Sequence, residues 1–377
     1  MMTAARIDEL LDGPAYGLSL AERSPLLLEL LRDQVRAAAA RSPAYANVVR
    51  HWPVAPDEAG TIAELPFLPV TVFKRNPPLA LVPEADVMRV LHSSSTTGRA
   101  PSRIAVDRAT ALRMTRGAVQ ILRDFVGPER RPYLVVDVPA ANAATTDVDA
   151  RGAAIRALLP FASSVTYALR AGPDGEPAPD VDALRAFVDA HGAGPCLVYG
   201  FTSVLWTALV RPLAESGLDL GLADIHLLHS GGWKKLAAEA VSKADFTAAA
   251  ASVFGCAPER VIDYYGMVEN LGIVYPDCRC GNKHAPVTGE AIVRDPLTLA
   301  PVGEGETGLL QVCSVLPESF PGHLLLTEDL ATVVLEDGCP CGRPGLAFRF
   351  AGRAPRTETR GCGNVDACRP QPQEVTS

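Results

Sequence analysis

The chain has 377 residues, 48% of them hydrophobic and 21% charged, and this composition excludes a disordered or fibrous protein. Its length allows a large core and more than one lobe. With 43 Asp and Glu against 35 Lys and Arg, the net charge of −8 argues against a nucleic-acid binder, which needs a basic face to neutralise phosphates.

The N-terminal sequence and the cysteines both indicate a cytoplasmic protein. MMTAARIDELLDG carries acidic residues early and lacks the basic flank and apolar core of a secretory signal. The longest uncharged stretch, 191–210, is interrupted by glycine and proline, so it predicts a strand and a helix rather than a membrane span. Nine cysteines in such a chain favour metal ligation or thiol chemistry over a disulfide framework.

Strands and helices are predicted to alternate over the first three quarters of the chain. Residues 17–42 predict a helix, for which Ser24 and Pro25 supply a cap and a first-turn proline. Further strands are predicted at 133–138, 196–200, 225–230 and 261–266, and helices near 108–126, 181–190, 202–216 and 234–254. This alternation indicates parallel βαβ units.

The pattern changes after about residue 285. Four short apolar runs, GEAIV, TGLLQVCS, GHLLLTEDL and ATVVLEDG, are separated by turn residues and leave no room for helices. They predict a small antiparallel or barrel-like β subdomain. We therefore expect an α/β body with an N-terminal helical segment over 1–285, the β subdomain over 286–352, and a hinge remnant with a loose tail over 353–377.

A run of hydroxyl residues forms the first candidate binding segment. HSSSTTGR, residues 92–99, follows the apolar stretch VMRVL and makes a poor strand or helix. Its hydroxyl and backbone N–H groups suit it to wrap phosphate oxygens. The spacing is not that of the G-x-x-x-x-G-K-[ST] phosphate loop. Taken alone, the composition fits a solvated surface loop equally well.

Further motifs follow in a recognisable order: SGGWK at 230–234, YYGMVE at 264–269, TED at 327–329 between two short predicted strands, and GR at 352–353. Together with LPFLPVTVFK, HSSSTTGRAPSRI, HSGGWKK, YYGMVENLGIVYPDC and ETRGCG, they span residues 64–363. In this order the chain resembles the adenylate-forming superfamily, and more closely the acyl-protein synthetases of bacterial bioluminescence operons, related to phenylacetate–CoA ligases. The resemblance implies the large α/β domain of such enzymes, with the usual C-terminal lobe truncated.

The resemblance also implies a reaction and a set of roles. ATP and a carboxylate would give an acyl-adenylate and pyrophosphate, with Mg²⁺ as cofactor. The resemblance implies that the β- and γ-phosphates are bound by Ser94, Ser95, Thr96, Thr97 and Gly98, and that Gly231 and Gly232 let the backbone approach the nucleotide. Tyr265 would stack on adenine with Gly266 beside it, Asp329 would bind the ribose, and Arg353 would reach the nucleotide from the hinge. Glu269 would hold magnesium.

Each of these residues also has a simpler reading. By itself Asp329 fits a turn acid, Glu269 a solvated or helix-capping acid, and Arg353 the partner of a surface ion pair. Tyr265 fits core packing equally well. It is their occurrence together and in order that favours the nucleotide site.

The chain departs from the family pattern at three points. Its loop lacks the usual terminal lysine, so Arg99 or Arg103 would supply that charge, and Val268 replaces the hydroxyl residue that often precedes the glutamate. Only residues 354–377 follow the Gly-Arg hinge, so the lobe that carries the family's catalytic lysine is expected to be absent. Lys234 or Lys74 would then substitute electrostatically, and a full coenzyme A site is less expected.

A tail cysteine is the candidate acyl acceptor. Cys362 lies between two glycines and is flanked by Arg356 and Arg360, which favour the thiolate. A thiolate that attacks an acyl-adenylate forms a thioester and releases AMP. The resemblance implies a near-terminal cysteine that passes the acyl group to a reductase partner. The alternatives are a simple exposed thiol, or Cys368, which lacks the glycines.

Two short cysteine motifs, CRCGNKH at 278–284 and CPCG at 339–342, predict a structural zinc site. The five candidate ligands are Cys278, Cys280, His284, Cys339 and Cys341. Zinc takes four of them, and either His284 or one of the first two cysteines is left out. A catalytic zinc is the lesser alternative, because four thiolates would leave no open position. The remaining thiols, Cys196, Cys256 and Cys313, are expected to be inert in the core.

These observations predict an ATP-dependent ligase that activates a carboxylic acid as acyl-AMP and loads it onto a thiol. The acceptor is Cys362 itself, or a partner such as an acyl reductase or a carrier protein. One alternative is an acyl-CoA ligase of the phenylacetate type. The other is a zinc-stabilised binding protein without catalysis. The sequence leaves the identity of the acid open.

Overall fold

The computed structural model of the chain describes residues 2–75, 77–93, 100–139, 150–192 and 194–355. Several predicted site residues lie outside the described residues: Ser94, Ser95, Thr96, Thr97, Gly98 and the tail cysteine Cys362. The helix that begins at Lys234 is described, but the side chain of Lys234 is not.

Three helices open the chain: α1 (Met2–Asp12), α2 (Leu20–Arg41) and α3 (Pro43–Arg50). The predicted helix over 17–42 is α2, but the predicted cap at Ser24 is wrong, because Ser24 and Pro25 lie inside the helix. It begins where Ser19 and Glu22 cap each other's backbone N–H groups in a reciprocal capping box. Its apolar face is buried in the same hydrophobic core as the later antiparallel sheet.

A short strand and a hairpin connect these helices to the rest of the fold. Strand β1 (Leu68–Pro69) is followed by the hairpin of β2 (Arg89–His92) and β3 (Arg103–Val106). The two hairpin strands pair antiparallel with His92 opposite Arg103. The Ser/Thr/Gly segment therefore leaves and returns at one end of this hairpin.

The central sheet has six strands, in the order β11-β10-β9-β8-β4-β5. They are β4 (Arg131–Val136), β5 (Ala162–Tyr167), β8 (Cys196–Phe201), β9 (Ile225–Ser230), β10 (Val261–Tyr265) and β11 (Tyr275–Pro276), and a separate small hairpin is formed by β6 (Leu169–Ala171) and β7 (Pro177–Pro179). All neighbours are parallel except β10 and β11. The predicted parallel βαβ units are confirmed, and β5 is an additional strand.

Helices cover both faces of this sheet. They are α4 (Arg108–Val126), α5 (Ala150–Ala157), α6 (Val181–His191), α7 (Thr202–Leu205), α8 (Arg211–Glu215) and α9 (Lys243–Phe254). Alternate residues of β4 enter different cores, Leu134 with α6 to α9 and Tyr133 with α4 and α5. The predicted strands are therefore apolar on both faces, as is usual for a parallel sheet.

Two predicted helices differ in detail. The segment 202–216 is interrupted by a π-helical stretch at Trp206–Val210. The single helix predicted over 234–254 is wrong at its start, because Lys234–Glu239 forms a 3₁₀ helix. The α-helix begins only after Ser242, whose side chain accepts the N–H of Asp245 and caps a new first turn.

A second six-stranded sheet follows, with the order β12-β16-β15-β14-β13 and β1 added parallel to β15. Its strands are β12 (Lys283–His284), β13 (Gly289–Arg294), β14 (Thr307–Ser314), β15 (Leu324–Leu335) and β16 (Ala347–Arg353). The antiparallel subdomain is present as predicted. The boundary at 285/286 stays a prediction, because β1 and β12 join this sheet from before it.

The TED motif lies within a strand, and the prediction that it separates two strands is wrong. In β15, Leu326 pairs with Gln311 and Leu330 pairs with Leu309, so 327–329 stand opposite the single residue Leu310. The strand therefore bulges at the motif. Thr327 fills the gap in the ladder, since its hydroxyl donates to the Leu310 carbonyl at 2.7 Å and accepts the N–H of Asp329 at 3.1 Å.

A buried lysine joins the two sheets. Lys283 of β12 is only 2% exposed, and its Nζ lies 3.2 Å from Asp263 Oδ2 on β10 and 3.1 Å from Asp277 Oδ1. Burial lowers and the two carboxylates raise the pKa of Lys283, with a net rise. The ammonium is thus held charged between sheets.

Across the described ranges, every helix falls short of the length or the apolar character that crossing a bilayer requires.

Candidate functional site

The base of the Ser/Thr/Gly segment is closed by two backbone-directed hydrogen bonds. The N–H of Ser93 donates to the Ser102 carbonyl at 3.1 Å, and the N–H of Ser102 donates to Ser93 Oγ at 2.9 Å. Ser102 is 1% exposed. Both ends of the segment are therefore fixed in the fold, although Ser94–Gly98 themselves lie outside the part of the chain that is described.

Glu269 lies against this base. It follows β10 on the 3₁₀ turn Val268–Asn270 and is 7% exposed. Burial raises the pKa of the Glu269 carboxyl, while a hydrogen bond from the Ser102 hydroxyl and the charge of Lys74 act in the opposite direction. The solvated-acid alternative for Glu269 does not fit this geometry. A buried carboxylate beside this hydroxyl-rich segment is suited to hold a divalent cation.

Asp329 lies in the bulge of β15 and receives contacts from two predicted site residues. The hydroxyl of Tyr265 donates to Asp329 Oδ2 at 2.8 Å, and Arg353 Nε lies 3.4 Å from Oδ1. Burial raises the pKa of Asp329, whereas the Tyr265 hydrogen bond and the Arg353 charge lower it. The bulge thus aims this carboxylate away from the ladder and toward the end of β10.

The ring of Tyr265 is packed between aromatic neighbours. Its centroid is 5.4 Å from that of Phe350, with the planes at 25°, and 6.0 Å from that of Tyr275. The core-packing alternative therefore describes the arrangement of this ring. Stacking of Tyr265 on adenine stays a prediction, and its hydroxyl has a second task in orienting Asp329.

Gly231 and Gly232 form a turn at the carboxyl end of β9. Both have left-handed backbones, with φ of 88° and 61°. A Cβ on Gly231 would lie 2.5 Å from the Phe201 ring, so only glycine fits there. Ser230 is paired with Phe201 on one side and with Tyr264 on the other. This turn and the one at Gly266 therefore lie on the same carboxyl edge of the sheet, where α/β folds bind ligands.

Lys74, which the sequence left as an alternative to Lys234, lies in this region. Its Nζ is 3.0 Å from Glu328 Oε2, next to Asp329 in β15. Its charge also acts on Glu269. Hence residues from the β1–β2 connection, the end of β10, β15 and β16 approach one another here.

The cysteine motifs meet in a separate cluster. The ligand atoms of Cys278, His284, Cys339 and Cys341 all lie within 4.8 Å of one another. Cys280 does not belong to this group. A tetrahedral zinc site, with Zn–S bonds of about 2.3 Å, places its ligand atoms about 3.8 Å apart. Four of the five candidate ligands are thus arranged at nearly the required spacing.

Two similar turns present these ligands. The N–H of Gly281 donates to the Cys278 carbonyl at 2.7 Å, and the N–H of Gly342 donates to the Cys339 carbonyl at 2.9 Å. Both glycines have positive φ, 72° and 88°. His284 Nε2 lies 3.5 Å from Cys341 Sγ, while its buried Nδ1 has no hydrogen-bond partner among the described residues. This histidine is therefore not satisfied as an ordinary core residue.

Sequence reasoning assigned no role to three residues that contact the candidate site: Ser102, Glu328 and Phe350. Ser102 stands within the quoted stretch HSSSTTGRAPSRI, but nothing in the pattern distinguishes it from its hydroxyl neighbours. Phe350 lies on β16, a strand that the sequence pattern did not predict.

Comparison with known proteins gives a family and a fold. The family described as "Acyl-protein synthetase, LuxE" matches residues 1–368. A long-chain-fatty-acid–luciferin-component ligase of Aliivibrio fischeri is 27% identical over 156 residues, 41% of this chain and 40% of the relative. The ligase of the same name from Vibrio harveyi is 28% identical over 144 residues, 38% of this chain and 36% of the relative. The matches thus span less than half of these relatives.

Solved structures of 2-hydroxyisobutyryl-CoA ligase have a similar fold. Its open conformation, in complex with 2-HIB-AMP and CoA, matches with a TM-score of 0.66 and 19% identity over 90% of this chain and 76% of that chain. Its thioesterification state gives a TM-score of 0.66 and 20% identity, over 90% and 70%. The predicted fold class, the large domain of adenylate-forming ligases, is confirmed.

The raised pKa of Glu269 predicts a pH-dependent gain in stability for Glu269→Gln. An acid whose pKa is raised by folding favours the folded state below its unfolded pKa and loses that contribution as pH rises through the folded pKa. We expect the variant to match the wild type near pH 4 and to be more stable by about 1 kcal/mol at pH 8, because it removes a buried charge. Denaturant unfolding without added Mg²⁺ measures this difference.

Glu22→Gln is the matched control. Hydrogen bonds from Ser19 lower the pKa of Glu22, so its replacement is expected to decrease stability at pH 8. A Glu269→Gln variant that is less stable than the wild type at pH 8 would contradict the assignment of a costly buried carboxylate.

Proposed function

The chain belongs to the LuxE acyl-protein synthetase family, and from this membership we propose that it activates a carboxylic acid with ATP and transfers the acyl group to a thiol. The observation that carries the proposal is a connected set of contacts. Tyr265 and Arg353 contact Asp329, whose charge acts on Glu269, and Glu269 is hydrogen-bonded to Ser102 at the base of the hydroxyl-rich segment. These are the residues that the family motifs assign to ATP and its magnesium.

In the first step a carboxylate oxygen of the acid attacks the α-phosphorus of ATP. The new C(O)O–P bond forms as the bond to the β-phosphate oxygen breaks, and pyrophosphate leaves. The protein must hold two anions together, so positioning and charge stabilisation do most of the work. Asp329 would accept the ribose hydroxyls, and Tyr265 fixes its orientation through the 2.8 Å hydrogen bond.

Magnesium is the implied cofactor, and the residues present fit it. Glu269 offers a buried carboxylate whose ionisation is disfavoured without a nearby positive charge. A cation held there would relieve that cost and lie beside the segment proposed for the β- and γ-phosphates. When bound, it supplies neutralisation of phosphate charge.

In the second step a thiolate attacks the acyl carbon and AMP leaves as the thioester forms. We propose Cys362 as the first acceptor, with an acyl reductase or a carrier protein as the next. Since both curated relatives are named for long-chain fatty acids, such acids are the first substrates to test. The reaction would take place in the cytoplasm.

ATP–pyrophosphate exchange over a panel of acids tests the proposed activation. We expect exchange with at least one acid class, and an acyl adduct on the intact protein by mass spectrometry. Cys362→Ser is expected to keep the exchange within about threefold and to lose the adduct, because the thiol acts only after adenylation. Cys368→Ser is the matched control and should keep both.

Each alternative has its own outcome. Release of product that depends on coenzyme A, with Cys362→Ser harmless, would favour the acyl-CoA ligase. No exchange with any acid, together with no measurable affinity for ATP, would favour the binding protein without catalysis. An adduct that survives Cys362→Ser would overturn the assignment of this thiol.

We also propose that Cys278, His284, Cys339 and Cys341 hold a structural zinc ion. Their spacing supports this, and so do two N–H groups that point at thiols, from Cys280 to Cys278 Sγ and from Arg343 to Cys341 Sγ, each at 3.4 Å. Four protein ligands leave no position for a substrate, so the ion would be structural. It would tie the segment before β12 to the β15–β16 connection.

Zinc content and stability test this assignment. We expect about one zinc ion per chain in the purified protein, measured by inductively coupled plasma mass spectrometry. Cys339→Ser is expected to lose most of the metal and several kcal/mol of stability, whereas the neighbouring Cys280→Ser should keep the metal. Equal loss in both variants, or wild-type protein without zinc, would contradict the proposed ligand set.

A further inference from the structure

Lys74 is held rigidly at the edge of the candidate site. It ends the 3₁₀ turn Val70–Lys74, which follows β1 directly. Strand β1 pairs in parallel with β15, the strand that also carries Asp329. The neighbouring Phe73 is fully buried and packs edge-on against Phe320 at 5.8 Å. The backbone of Lys74 is therefore fixed against the strand of the candidate ribose acceptor, and its four-carbon side chain is the part that can move.

The ammonium of Lys74 pairs with one carboxylate and acts on a second. It is 3.0 Å from Glu328 Oε2 of β15, and its charge acts on Glu269, on the turn that follows β10. The side chain of Lys74 is 26% exposed and that of Glu328 is 40% exposed. Such a half-exposed ion pair contributes little to stability, so an incoming anion with more charge can displace Glu328.

The negative charges around the candidate site favour a cation at the position of Lys74. Glu269, Glu328 and Asp329 are all acidic, and adenylation adds a triphosphate and a carboxylate that must approach each other. Arg353 contacts Asp329, but its side chain is 61% exposed. Lys74 is less exposed than Arg353, pairs with Glu328 of β15, and acts through its charge on Glu269. A compact ammonium with three donors is suited to bridge two oxyanions.

We propose that Lys74 is a catalytic residue of adenylation, which leaves Glu328 when ATP binds and bridges the α-phosphate and the attacking carboxylate. This inference rests on the proposed function and assigns a residue within it. The step needs no proton transfer to or from Lys74, because the attacking oxygen is already ionised and pyrophosphate departs as an anion. Its charge reduces the repulsion between the two reacting anions and stabilises the charge on the phosphoryl oxygens. Glu328 holds the ammonium in the cleft before ATP binds.

A lysine with this role affects the two half-reactions differently. In the first half-reaction a carboxylate attacks a phosphorus atom within the triphosphate charge, whereas in the second a thiolate attacks the acyl carbon after pyrophosphate has left. Loss of the Lys74 charge should therefore slow adenylation much more than acyl transfer. A lysine that only supports the fold would affect both half-reactions alike.

The test uses Lys74→Met, which keeps the length of the side chain and removes its charge. We expect kcat/KM for ATP–pyrophosphate exchange to fall by about 100-fold or more, as for loss of one charge-stabilising donor in other enzymes. Acyl transfer to Cys362 from a supplied synthetic acyl-AMP should stay within about threefold of the wild type. Lys243→Met, which removes a surface lysine paired with Asp277, is the matched control and should change neither reaction.

Glu328→Gln separates a catalytic lysine from a structural ion pair. If the pair only supports the fold, Lys74→Met and Glu328→Gln should lose activity and melting temperature alike, and that result would overturn the proposal. If Lys74 acts on ATP, Glu328→Gln should instead lower KM for ATP, because it releases the ammonium, so the two variants should change the exchange in opposite directions.

Lys74→Arg is a control for the case in which Lys74→Met does not fold. It keeps the charge but replaces the point-like ammonium with a planar fork, and we expect about a tenfold loss of exchange with an unchanged melting temperature. If Lys74→Met exchanges ATP and pyrophosphate as fast as the wild type, the catalytic role of Lys74 is contradicted but the proposed function is not. If the wild type shows no exchange with any acid, the proposed function itself is contradicted.

Discussion

The hydrogen bond from Tyr265 to Asp329 is the contact on which the candidate site depends. Tyr265 ends the parallel sheet at β10, and Asp329 stands in the bulge of β15 in the antiparallel sheet. One 2.8 Å hydrogen bond therefore joins the two sheets at the candidate site, and the buried Lys283 joins them a second time through Asp263 of β10. Because each sheet is rigid, fixing these two points fixes the relative positions of the groups on their edges. The candidate site therefore forms at the junction of the two sheets, where the end of β10 meets β15, and not within either sheet.

The junction concentrates negative charge at a cost to the empty protein. Burial disfavours the ionised forms of Glu269 and Asp329, and the nearby cations and hydroxyl donors offset only part of this. A site that is unfavourable when empty gains most when a cation and a hydrogen-bonding ligand arrive. This arrangement fits an adenylating enzyme, in which binding energy is used to assemble charged groups. The cysteine cluster has the opposite character, since it closes loops and offers no open position.

The sequence predicted the parts of the fold whose periodicity is strong. Strands β4, β8, β9 and β10 read as short apolar runs, and α4 was predicted at its observed bounds of 108–126. It did not predict the bulge in β15, because the acidic TED motif interrupts the apolar pattern and its pairing is set by the distant partner Leu310. Ser102 and Glu328 were missed for the same reason, since their roles come from contacts with remote strands. The order of motifs, by contrast, needed no geometry to recognise.

The pairing of β1 with β15 has a consequence for how the chain folds. Leu68 and Leu325 are neighbours in the sheet, although more than two thirds of the chain lies between them. During synthesis on the ribosome, β1 emerges long before its partner β15. The N-terminal helices, which share the same hydrophobic core, also emerge before the strands that they pack against. Contacts between residues so far apart in the sequence slow folding, because the entropy cost of closing the long loop is met before the contacts that offset it can form. The early apolar segments would therefore benefit from a chaperone until the last strand is made.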